Sequence, residues 1–210
     1  MIELKLEPCP LEDKFHQAVS VSFHPSFQST YKDVKRWFDR FSLFLDGSII
    51  NDLVLFYSLA KKKYLDHRQP NHLSRLILSI YHIQRKLLSA TTLSSSIRHL
   101  AIRWIPTNLL FPFSSKPVLG CLIGFNVMDR CELFDEENIL VALEKHFPDF
   151  QFVKESYYSH SSQHENIRIC YFEIEKKNGS QISLAERKFL QAHFKAKIKN
   201  GIQNSSPLCL

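Results

Sequence analysis

Glycine is nearly missing from this chain, with five residues in 210. None falls in a G-x-G-x-x-G or G-x-x-x-x-G-K pattern, which argues against a Walker-type nucleotide site and a dinucleotide fingerprint. A G-x-S-x-G nucleophile elbow is also missing. The five cysteines, Cys9, Cys121, Cys131, Cys170 and Cys209, are odd in number and show no C-x-x-C spacing. They indicate no disulfide framework and point to a reducing compartment, hence a cytoplasmic protein. No apolar run is suited to crossing a membrane. The nearest, residues 109–128, is interrupted by Pro112, Lys116 and Pro117, and prolines with a charge argue against an unbroken spanning helix. The first thirty residues carry Glu3, Glu7, Glu12 and Asp13 and lack an apolar segment, which is the wrong chemistry for a secretory signal.

What the chain does have is aromatic weight. Seventeen phenylalanines and 44% hydrophobic residues, against 23% charged, describe a globular protein with an aromatic-rich core. The length suits one large domain or two small ones, enough to bury a core without metal or disulfides.

The apolar period changes along the chain. Residues 1–30 read as irregular, because Pro8, Pro10 and Pro25 interrupt long elements. In 31–45, Val34, Trp37, Phe38, Phe41, Phe44 and Leu45 recur at helical spacing, and Asp46-Gly47 reads as the stop. A second helix is expected over 48–64. A third spans about 71–88, with Leu73, Leu76, Ile77, Ile80, Ile83, Leu87 and Leu88 as its buried stripe. Together these form a helical part over 31–90.

After a Ser/Thr-rich joint at 91–96 the period becomes that of strands. Residues 97–105 alternate, with Leu100, Ile102 and Trp104 on one face and His99, Ala101 and Arg103 on the other, and Pro106 reads as the end. Residues 118–127 are nearly all apolar, as in a sheet centre. Asp135 is placed to cap a helix that Pro148 stops. Strands are expected over 150–158 and 167–176, with a polar loop at 159–165 between them. Asn178-Gly179 reads as a type I′ turn, and Ser183-Leu184-Ala185-Glu186 is a capping box opening a last helix to about Asn200. From 118 the order is strand, helix, strand, strand, helix. It predicts an α+β fold in which an N-terminal helical part is followed by a mixed β-sheet domain, 97–200, with two helices in ferredoxin-like, split β-α-β order. Only a short tail, 201–210, remains where such a fold needs one more strand. Either the sheet borrows 97–105 or the chain is part of something larger.

Site signals are thin. His160 and His164 have i, i+4 spacing, but they fall in a polar loop with no third ligand nearby, so no metal and no cofactor is implied. Acidic residues Asp129, Glu132, Asp135, Glu136 and Glu137 cluster with Cys131 at a strand-to-helix joint. Capping and the helix dipole already account for the last three. The charge itself is uneven: residues 31–105 carry 13 Lys and Arg against 5 Asp and Glu, an excess of +8 in a chain of net +6. The candidate anion- or nucleic-acid-binding residues are Lys61, Lys62, Lys63, Arg68, Arg75, His82, Arg85, Lys86, Arg98 and Arg103. The aromatics nearby, Trp37, Phe38, Phe41, Phe56 and Tyr81, are expected mostly on or beside buried stripes, and a solvated basic face is the plain alternative.

Three function classes follow. The first is a non-catalytic binding or regulatory protein working through protein–protein or small-ligand contact. The second is a nucleic-acid-binding protein using the 61–103 basic face. The third is an enzyme acting on an anionic substrate at the joint around 129–135.

Overall fold

The computed structural model describes residues 24–41, 45–128, 135–162 and 166–204. Within them are six helices and five strands. The helices are α1 (Ser26–Arg40), α2 (Ser48–Leu59), α3 (Lys62–Asp66), α4 (Pro70–Leu93), α5 (Glu136–His146) and α6 (Leu184–Asn204). The strands are β1 (Leu100–Phe111), β2 (Ser114–Asn126), β3 (Phe150–Phe152), β4 (Tyr158–Ser162) and β5 (Ile167–Lys176). The fold is α+β, with the helical part preceding the sheet.

The helical boundaries differ from the sequence expectation, each for a local reason. α1 starts at Ser26, directly after Pro25, and buries Phe27, Thr30, Tyr31 and Val34. Gly47 has φ −62° and precedes α2 instead of closing α1. Beside it, Asp46 Oδ1 accepts the Ser48 N–H at 2.9 Å. α2 stops at Leu59 because Ala60 and Lys61 are extended (ψ 137° and 135°). That break turns Tyr64 and Leu65 into the core, so the three lysines lead into α3 instead of closing α2. α4 carries Pro70 at its first position, where a missing N–H costs no helical bond. It runs on into the expected joint, to Leu93, with Thr91 and Thr92 hydroxyls donating back to the Leu88 and Ser89 carbonyls.

The sheet order is β1-β2-β5-β3, with β4 also pairing β5, and every pairing is antiparallel. The expectation of a mixed sheet is therefore corrected. β1 lies beside β2 at one edge of the sheet, and the elements from β2 onward run β-α-β-β-β-α. β1 also continues through Pro106 to Phe111, and the turn is the two residues Pro112 and Phe113. The expected single strand 150–158 is split: residues 153–157 face only Phe172 and Glu173. This is a large bulge, with Glu155 at φ 66°. β4 occupies part of the expected 159–165 loop.

Both faces of the sheet are covered. α4, backed by α1 and α2, packs on Ile105, Leu122, Ile169 and Tyr171. α5 and α6 pack on Leu119, Cys121, Ile123, Phe125, Phe172 and Ile174. Along β5, Ile169 and Tyr171 face one layer while Cys170 and Phe172 face the other, as the pleat requires. Gly124 permits the close approach of α4. A Cβ there would sit 2.8 Å from Leu87 Cδ1 and overlap Ile83.

Two capping expectations match the structure. Asp135 accepts the Asn138 N–H at 3.2 Å, and Ser183 and Glu186 bond reciprocally at 3.2 and 2.7 Å. Two turn expectations do not. The 176–179 turn has no positive φ at Asn178, so it is not type I′, and among the described residues no strand follows it. α6 also continues past Gly201.

Candidate functional site beside strand β1

The ten basic candidates separate into three groups. Four are occupied within the fold. Arg68 is buried, with its Nε donating to Glu173 Oε1 at 2.9 Å, its Nη2 paired to Oε2, and its guanidinium 4.7 Å from the Tyr64 ring. Arg85 pairs with Asp46 and lies 5.5 Å from the Tyr81 ring. Arg98 donates to the Asn126 carbonyl and lies 5.8 Å from the Phe125 ring. Lys61 sits 3.5 Å from Glu155 and 4.0 Å from Glu136. Lys62 and Lys63 form a second, exposed group around α3. The third group, Arg75, His82, Lys86 and Arg103, converges on one surface where α4 crosses β1.

That surface holds two adjoining grooves. One, about 410 Å³, is lined by Trp37, Phe41, Leu78, Arg75, Arg103 and Trp104, among others. The other, about 590 Å³, lies over 100–104 of β1, between His82, Ile83 and Lys86 of α4 and Gln191 and Lys195 of α6. They share His82, Arg103 and Trp104, and among the described residues no carboxylate lines either. Among the described residues Arg75, Lys86, Arg103 and Lys195 form no ion pair. Burial, then the Arg103 charge, lower the His82 pKa from its ordinary value.

Sequence reasoning missed the apolar half of this surface. Trp37 and Phe41 are 39% and 36% exposed and stack on each other at 5.7 Å. The core face of α1 ends with Val34 and the half-buried Phe38, leaving Trp37 and Phe41 outside it. Both tryptophans of the chain line the same groove. Lys195 and Gln191 come from a helix more than eighty residues away in sequence, and no local pattern connects them to β1.

Behind the third helix lies a buried polar cluster. Tyr171 Oη donates to Glu173 Oε1 at 2.8 Å, and His72 Nε2 lies 3.3 Å from both the Tyr64 and Tyr171 hydroxyls. His72 is 3.7 Å from Glu173, yet the two form no ion pair. Burial, with the Arg68 and Arg75 charges, lowers the His72 pKa to about 3. The cluster is enclosed and holds α3 and α4 onto β5.

His160 lies on β4, buried, with Nδ1 3.0 Å from the Tyr158 hydroxyl. Its Nε2 donates at 3.0 Å to the Gln84 oxygen, whose amide nitrogen donates in turn to Asp52. Both ring nitrogens are thus engaged. His164, Asp129, Cys131 and Glu132 lie outside the described residues. Cys121 and Cys170 are buried free thiols, and burial raises the pKa of both. No helix among the described residues is long and apolar enough to cross a membrane.

Compared with known proteins, the chain matches no family model, no curated protein and no solved structure.

Proposed function

We propose that this is a non-catalytic binding protein that captures an anionic partner on the surface where α4 and α6 flank β1. One observation carries this reading: Arg75, Arg103, Lys86 and Lys195 converge on two joined grooves that, among the described residues, no carboxylate lines. Cations left without counter-charges in an apolar-walled groove attract and orient anions. Trp37, Phe41 and Leu78 supply the apolar contact. The α+β frame reads as a split β-α-β unit of ferredoxin-like kind whose fourth strand, β1, comes first in the chain. The free thiols support a reducing, cytoplasmic setting.

The test is tryptophan emission on titration with a poly-Glu peptide and with oligo-dT at low salt, where surface charge acts most strongly. Binding by at least one polyanion, weakened by salt and by Arg75→Ala with Arg103→Ala, supports the reading. Lys62→Ala with Lys63→Ala leaves it unchanged. If neither polyanion binds, the surface is a solvated face and the reading fails.

A further inference from the structure

Part of the β1 backbone carries outward polar groups with no hydrogen-bond partner among the described residues. At Leu110 these groups turn away from β2: its N–H donates to the His67 carbonyl at 3.1 Å, and its carbonyl accepts from His67 Nδ1 at 2.9 Å. The β1–β2 register runs from Leu100↔Phe125 to Phe111↔Ser114 without a bulge. Along an antiparallel strand the direction of these groups alternates. The N–H and C=O of Asn108, Trp104, Ile102 and Leu100 therefore also point outward. So does position 106, where the missing N–H of Pro106 breaks no bond to β2. Of this set, only Leu110 has a hydrogen-bond partner among the described residues.

The open stretch 100–104 forms the floor of the 590 Å³ groove, with Lys86 of α4 on one wall and Lys195 of α6 on the other. We propose that this free edge binds an acidic polypeptide segment in extended form, which adds to the sheet as a further strand. The proposal rests on the anion-capture reading and names its partner. Main-chain bonds to Leu100, Ile102 and Trp104 would supply a ladder, and alternate side chains would face the two walls. Acidic side chains meet Arg103 and Lys86 on the α4 side and Lys195 on the α6 side. At the Ile105 end an apolar side chain reaches the groove lined by Trp37, Phe41 and Leu78.

Two other occupants fit less well. A single nucleic-acid strand needs a row of free aromatic faces. Here both sheet faces are covered, Trp37 stacks on Phe41, and Trp104 packs edge-on to Phe194 at 5.2 Å. A second copy pairing β1 to β1 would bring Lys86, Arg103 and Lys195 against their own counterparts, and like charges in register repel.

The experiment uses the full chain and a peptide of repeating Glu-Glu-Val-Val, about ten residues long, the upper length of ordinary strands, which puts acidic and apolar side chains on both faces. Three comparisons accompany it: the same peptide N-methylated at alternate residues, oligo-dT, and the Ile102→Pro protein. Proline at 102 removes one outward N–H and no bond to β2. We expect the peptide to bind and to slow hydrogen exchange at the Leu100, Ile102 and Trp104 amides, which exchange fast in the free protein. N-methylation and Ile102→Pro should each weaken binding at least about tenfold, the equivalent of about 1.4 kcal/mol. An N-methylated peptide that binds equally well overturns strand addition without using any protein variant. Binding of oligo-dT but not the peptide overturns this inference while the anion-capture reading stands. So does a peptide-independent dimer, seen by light scattering, that protects the same amides. Failure of both polyanions removes both proposals.

Discussion

Replacing Arg68 by Met tests whether the buried charge pair holds the helical layer to the sheet. The side chains of Arg68 and Glu173 are 1% and 0% exposed. Glu173 receives two bonds from Arg68 and one from Tyr171, and among the described residues no other cation is bonded to it. Removing the guanidinium leaves a carboxylate out of water with a single hydroxyl donor. Breaking a buried pair from one side costs about 3–5 kcal/mol, and for a chain of this size each kcal/mol lowers Tm by about 2–4 °C. Urea unfolding followed by circular dichroism measures the loss as a change in midpoint at constant slope. Arg68→Met with Glu173→Leu should recover most of the loss, because an apolar pair of similar volume removes the desolvation penalty. A single-variant loss below about 1 kcal/mol, the size of an ordinary surface effect, would refute the reasoning. So would a double variant as unstable as the sum of the singles.

Leu143→Ala, at a buried position of α5, should cost about 2–5 kcal/mol in the same assay. Ser183→Ala should cost about 0.5–2 kcal/mol, because the Glu186 N–H loses its acceptor at the start of α6. His72 and His160 have pKa values lowered by burial to about 3 and about 4. The unfolded chain takes up their protons first, so stability should fall as pH drops below about 6.5. Each histidine adds a slope of up to about 1.4 kcal/mol per pH unit, and His72→Gln or His160→Gln should flatten the curve. Arg103→Ala should raise the pKa of His82 toward its ordinary value, read from its ring proton shifts by NMR, because a neighbouring positive charge is removed.

Elements set by local chemistry were legible from the sequence. The β5 strand, the α5 and α6 caps and the buried stripe of α4 depend on side-chain period and on short-range hydrogen bonds that any reader of the residues can place. Breaks decided by packing were not legible. The chain bends at Ala60 and Lys61 because Tyr64 and Leu65 are buried against the sheet, and the 153–157 bulge opens where Ser156 bonds the Glu173 N–H at 3.0 Å. Pro106 reads locally as an end, and only strand pairing shows that its missing N–H faces away from β2. The same holds for the site. Sequence composition located an excess of positive charge between 31 and 105. Tertiary structure decided which charges remain free, because Glu173, Asp46 and the Asn126 carbonyl, all distant in sequence, engage Arg68, Arg85 and Arg98. It also brought Lys195 and Trp37 to the edge of β1, since a groove is formed by elements that meet in space, and residue spacing along one chain does not encode that meeting.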